Sequence, residues 1–222
     1  MTEAAQRRSL RIRNGELRGV SGMRPVGEVV NSAEMDALDE AEPKLSGQAV
    51  LDLRWAFEQR LGAELVTRAL ARVRPSAREL YERATPLTWV PYSVTRAVHA
   101  ALARESDRTV ESILEDVVPL AVERSLTTAW RLLLRFTSDD ALVTRIPLFY
   151  ARTRSRGTLT RKHLATGTAT LELGGWASVP AEDLSAIAAS IATFLRLGGR
   201  VRATVRVERA ASGALFHATW AA

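Results

Sequence analysis

Few residues in this 222-residue chain could do chemistry. His99 lies in the stretch LTWVPYSVTRAVHAAL, residues 87–102, where a Trp-Val-Pro-Tyr turn runs into an amphipathic helix. A neutral imidazole on such a helix can ligate a metal or hydrogen-bond a bound molecule. It can equally be a boundary residue with one polar partner. Trp89 and Tyr92 flank Pro91 and offer two aromatic walls for a ligand pocket, or a packed corner that fixes the helix entry. Tyr150 opens a second candidate stretch, Tyr150-Ala151-Arg152-Thr153-Arg154. The cations Arg152, Arg154, Arg156, Arg161 and Lys162 form the strongest charged feature. They suit an anionic ligand, an acidic partner or a headgroup, against the alternative of a solvated face. Arg200, Arg202 and Arg206 enlarge that patch if their strand neighbours it.

Catalytic signatures are missing. There is no cysteine, which excludes disulfides, cysteine nucleophiles and cysteine-bound metals. No phosphate loop, Gly-x-Ser-x-Gly elbow or His-Glu-x-x-His motif occurs. The three histidines are far apart in sequence, and the pairs Glu115-Asp116 and Asp139-Asp140 read better as helix-end charges than as an acid–base couple. The expectation is therefore a non-enzymatic protein with no catalytic residue and no metal site. The net charge of +6 does not point to nucleic acid. Residues 141–222 hold 11 basic against 4 acidic side chains, and Lys44 and Lys162 are the only lysines in the chain. That arginine bias, with abundant alanine, suits a GC-rich genome, and no stacking aromatics interleave the arginines.

The elements that must position these residues follow from periodicity. Residues 1–45 show no apolar period and read as a disordered tail, basic first and acidic after. From residue 46 the spacing is helical: Val50, Leu53, Phe57 and Leu61 share one face. Helices follow at about 63–73, 76–83 and after Pro91. The stretch 109–136 is the most strongly helical, with Pro119 expected to kink or split it, and a short helix is expected over 139–146, ended by Pro147. Then the period changes to two. Runs 158–164 and 168–174 are strands joined by Ala165-Thr166-Gly167. A helix runs from Pro180 to Gly198-Gly199, and residues 200–208 and 214–221 are strands. The predicted fold is α+β: a single domain over 46–222, with an N-terminal helical layer (46–147) followed by a β-β-α-β-β antiparallel sheet unit (150–222). No segment reads as a secretory signal or a membrane span, so the expected location is cytoplasmic.

The stretches TWVPYSVTRAVHAAL, LLLRFTSDDALVTRIPLFYARTRSRG and GGWASVPAEDLSAIAASIATFLRLGG, with the terminal Trp220 strand, resemble a family of proteins largely restricted to myxobacteria, for which no activity is established. In topology the chain more distantly resembles the ligand-binding fold of haem nitric-oxide sensor, four-vinyl-reductase and vesicle-tethering domains. That likeness implies binding of a small molecule, a lipid chain or a partner, often in dimers. Haem sensors hold haem by a helix histidine and a Tyr-x-Ser-x-Arg strand motif. Tyr150 and Arg154 match that motif, Arg152 replaces its serine, and His99 lies two helices too early. The sequence reading therefore expects no cofactor and favours a regulatory or sensory domain binding a small apolar or anionic ligand or a protein partner. A homodimeric adaptor with a filled core stands as the alternative, and a haem gas sensor as a minor one.

Overall fold

The fold was taken from a computed structural model, which describes residues 42–126 and 134–221. A short strand β1 (Lys44–Ser46) leads into helices α1 (Gly47–Leu61), α2 (Ala63–Ala71) and α3 (Pro75–Glu82). Strand β2 (Trp89–Pro91) pairs antiparallel with β1, matching Leu45 to Val90. Helices α4 (Tyr92–Ser106), α5 (Val110–Ser125) and α6 (Asp139–Thr153) follow, then β3 (Thr158–Ala165), β4 (Thr168–Gly174), α7 (Ala181–Leu197), β5 (Val201–Ala210) and β6 (Gly213–Ala221). The last four strands make one antiparallel sheet in the order β3-β4-β6-β5. This is the α+β arrangement of a helical layer followed by a β-β-α-β-β unit.

Local chemistry sets the element ends. Ser46, Thr109 and Ser138 each accept a hydrogen bond from a backbone N–H three residues on, the N-cap geometry that satisfies an otherwise orphaned donor. The β3–β4 hairpin turns at Gly167, whose φ of 72° suits glycine. Helix α7 packs on both α5 and β5, so it lies between the helical layer and the sheet. Its buried Ile187, Ile191 and Leu195 and the fully buried Leu171, Leu173 and Phe216 of the sheet form much of the core. None of the described helices is long and apolar enough to cross a membrane.

Three sequence expectations need correction. The tail was expected to reach residue 45, but Glu42 accepts a hydrogen bond from the Ser93 N–H and residues 44–45 belong to β1. The part of that tail before residue 42 lies outside the described residues. Pro119 does not split α5, which runs unbroken to Ser125; residues 127–133 of the expected 109–136 helix lie outside the described residues. Pro147 does not end its helix either. Helix α6 continues to Thr153, and so Tyr150 sits on a helix and not in the sheet unit. An internal proline costs about 3 kcal/mol. Burying Ile146 and Tyr150 offsets that, since each fully buried large side chain returns about 1.5–3 kcal/mol.

Gly47 clamps the start of α1 to the turn before β2. Its N–H donates to the Thr88 carbonyl at 2.7 Å. A Cβ there would lie 1.9 Å from the Thr85 carbonyl oxygen and 2.5 Å from Thr88 Oγ1. Backbone cannot yield as a side-chain tip can, so Gly47→Ala is expected to destabilise the chain by about 2 kcal/mol or more, read as a lower denaturant midpoint at unchanged m.

Candidate functional site

Helices α1, α4, α5, α6 and α7 leave a cavity of about 450 Å³ between them. That is within the range of small-molecule sites. The apolar part of its wall comes from side chains such as Leu53, Val118, Val122, Phe149 and Phe194. It exists because α6 packs against β3, β1 and α7, leaving α1, α4 and α5 across a gap. Helix periodicity brings the polar members to the same space: Asp52 from α1; Tyr92, Arg96 and His99 from α4; Arg145, Arg152 and Arg154 from α6 and the residue after it; Asp183 and Ser190 from α7.

His99 is half-buried and lines the cavity. It meets the Phe57 ring at 5.5 Å and 58°. Burial, helped by the nearby Arg96 charge, lowers its pKa to about 4, which makes it a neutral imidazole at ordinary pH. Arg96 is itself held by Glu182 at 2.9 Å.

The second polar group lies where α4, α7 and the end of α6 meet. Asp183 is 8% exposed, and its Oδ2 has no hydrogen-bond partner. Burial pushes its pKa up to about 6 against the opposing pull of Arg154. Arg154 is half-buried. Burial works against its charge, but the Tyr92 and Tyr150 hydroxyls and the Asp183 carboxylate outweigh that, and the net shift is upward. Its guanidinium faces the Tyr92 hydroxyl without closing a well-formed hydrogen bond, and both Arg154 Nε and Tyr92 Oη are unsatisfied. Burial raises the Tyr92 hydroxyl pKa and pushes that of Tyr150 up to about 12, so both are O–H groups. Tyr150 is already committed: it donates to the Arg156 carbonyl at 2.7 Å. Asp52 also has a raised pKa, from burial opposed by Gln48 and by Arg124 at 3.1 Å.

Of the candidate residues, the structure brings Tyr92, His99, Arg152 and Arg154 to one cavity. Trp89 is 45% exposed and is not among its lining residues; Trp176 meets Tyr92 edge-on instead, at 5.4 Å. Tyr150 borders only a much smaller void beside Phe149. The expected single cationic patch is divided. Arg152 and Arg154 turn to the cavity, Arg156 is half-buried, Arg161 pairs with Asp140, and Lys162 pairs with Glu172 at 2.7 Å. Arg200, Arg202 and Arg206 cannot extend it. Arg202 and Arg206 lie on the opposite edge strand of the sheet, three strand spacings of about 4.8 Å away, and Arg200 immediately precedes it. Arg200 instead bonds Asp139 at 2.7 Å. No cluster of three or more metal-ligating side chains occurs among the described residues.

Sequence reasoning missed Asp183 and Asp52. Asp183 reads as a first-turn acid that complements the helix dipole, yet it heads the buried stripe of Ile187, Ile191 and Phe194 on α7. A carboxylate on an apolar stripe was the available signal.

Among solved structures, the chain is similar to an Fe(II) unliganded H-NOX protein from K. algicida, with a TM-score of 0.60 at 11% identity, covering 80% of this chain and 97% of that one. The chain has the H-NOX fold. An oxygen-binding H-NOX domain related to soluble guanylate cyclases, solved as its oxygen complex, gives a TM-score of 0.56 at 14% identity, over 80% of this chain and 96% of that one. A structure described as probing heme distortion in the H-NOX family gives 0.57 at 14% identity, over the same shares. No family model and no curated protein sequence matches the chain, so nothing supports the myxobacterial likeness. At these identities the H-NOX likeness fixes the fold alone. It also overturns the expectation of a chain without a cofactor, because the H-NOX structures that share the fold are described in terms of heme and its iron.

Proposed function

We propose that this chain is a non-enzymatic sensory or regulatory domain that binds a small, largely apolar ligand in the cavity between α1, α4, α5, α6 and α7, and passes its occupancy to a partner by contact. The observation that carries the reading is the cavity itself: about 450 Å³ with a mainly apolar wall, to which Tyr92, Arg154 and Asp183 also contribute. Unfilled apolar volume is destabilising in proportion to its size, and a bound molecule removes that cost.

Haem is a second reading, favoured by His99 and by the heme proteins that share the fold. The donor set fits in chemical type. His99 is neutral and makes no hydrogen bond among the described residues, and Arg145 and Arg152 carry no ion pair there and suit carboxylates. The fit departs from the sensor pattern in placement: α6, which leads into the sheet, carries no histidine, and the Tyr150–Arg154 stretch ends a helix. Bound haem would supply an iron able to take a diatomic gas; His99 would hold it and the two arginines would orient its carboxylates.

Titration of the full chain with hemin and with metal-free protoporphyrin separates the readings. A Soret band that saturates at one equivalent and is lost in His99→Ala establishes haem ligation. Hemin and protoporphyrin binding alike, with no effect of that change, shows an apolar site without iron ligation. If neither binds, the haem reading is withdrawn.

A further inference from the structure

Resting on the reading of the cavity as a ligand site, we infer that its ligand is a single-chain fatty carboxylate, with the apolar chain inside and the anionic head at a cationic rim made by Arg145 and Arg152 of α6. Arg145, Leu148, Phe149 and Arg152 share one face of that helix by their spacing, and all four line the cavity. This face lies at the mouth. Leu148 is 62% exposed and Arg152 is exposed, while Phe149 meets Phe194 at 5.7 Å. Across the cavity, the lining residues Leu114, Val118 and Val122 of α5 are buried, so the interior is apolar. The other charges around the cavity are offset. Arg124 holds Asp52 at 3.1 Å, Glu182 holds Arg96 at 2.9 Å, and the Arg154 charge acts on the Asp183 carboxyl. Arg145 gives one N–H to the Ala141 carbonyl of its own helix at 2.8 Å, and neither it nor Arg152 has an ion pair among the described residues. The rim therefore carries two uncompensated cations. Two helical turns, about 10.5 Å along the axis, separate them, so they flank Leu148. A chain that enters past Leu148 leaves its head near both guanidiniums. A carboxylate gains charge-assisted hydrogen bonds there; an alcohol gains apolar burial alone, and an ammonium meets two like charges.

Calorimetric titration of the full chain at pH 7.5 with decanoate, decan-1-ol and decylamine tests this. The three share a chain and differ only in the head. Decanoate is expected to bind about tenfold more tightly than decan-1-ol, with decylamine the weakest. Octanoate is expected to bind more weakly than decanoate by about fourfold for each methylene removed, because the chain is buried. The double change Arg145→Gln and Arg152→Gln is expected to bring decanoate down to the level of decan-1-ol. Decan-1-ol binding is expected to stay unchanged, which shows that the variant keeps its fold and its cavity. Raising the salt from about 0.05 M to about 0.5 M is expected to shrink the advantage of decanoate several-fold, since exposed charges are screened. Equal binding of the three, decylamine leading, or a decanoate advantage that survives the double change overturns the rim and leaves the cavity reading standing. Binding of none of the three, with hemin and protoporphyrin also unbound, overturns both.

Discussion

Changing His99 to Phe and Asp183 to Asn is expected to tilt the dependence of stability on pH in opposite directions. The folded chain holds His99 near a pKa of about 4, below its ordinary value of 6.5. Between those values the unfolded chain binds a proton that the folded one refuses, so stability falls as pH drops from 6.5 to 4. At 1.36 kcal/mol per unit this amounts to about 3 kcal/mol. Asp183 acts the other way. Its folded pKa of about 6 lies above the ordinary 3.8, so the folded chain holds the proton more tightly. Its contribution is fully present below pH 3.8 and is lost as pH rises through 6, again by about 3 kcal/mol. The two nearly cancel in the unmodified chain. In His99→Phe, which fills the same space beside Phe57, stability relative to the unmodified chain rises on acidification from pH 6.5 to 4. In Asp183→Asn it falls over the same range, and the variant is the more stable protein at pH 7. Urea denaturation at four pH values across that range measures both slopes. Parallel curves for the three proteins would mean that neither group is buried as described.

The second large effect is on binding. Ala121 is a buried α5 residue on the cavity wall. Ala121→Trp places an indole in the void and is expected to weaken any ligand of the cavity by about a hundredfold or more. Stability is expected to change by no more than about 1–3 kcal/mol, because the added ring enters space that is already empty. Ser190→Trp approaches from α7 and gives the same test from another wall. Retained binding with either ring in place would move the ligand site elsewhere.

The order and type of elements were legible because each carries its own local signal. The change from period 3.6 to period 2 after α6, the Gly167 turn and the Pro180 and Gly198 boundaries of α7 are all properties of neighbouring residues. The error at Pro147 is of the opposite kind. A local breaker lost to the burial of Ile146 and Tyr150, which depends on residues distant in sequence. The site was legible only in part, for the same reason. Tyr92, His99, Arg152 and Arg154 were candidates by residue type, and three of them sit on helices whose stripes face inward. Periodicity says that a residue faces inward; it does not say whether it meets another side chain or a void. His99 near the α4 stripe therefore reads as a boundary residue, yet it borders a cavity. Sheet order is equally non-local: nothing in the run of arginines shows that β3 and β5 are opposite edges, which is what divides the expected cationic patch.

Native mass spectrometry of the freshly purified full chain, side by side with Ala121→Trp, bears most directly on the claim that this cavity exists to hold a small molecule. A bound mass on the unmodified chain, released on activation and missing from the tryptophan variant, is the predicted result. An identical bare-chain mass for both proteins, with hemin and protoporphyrin each failing to bind the unmodified one, would contradict it.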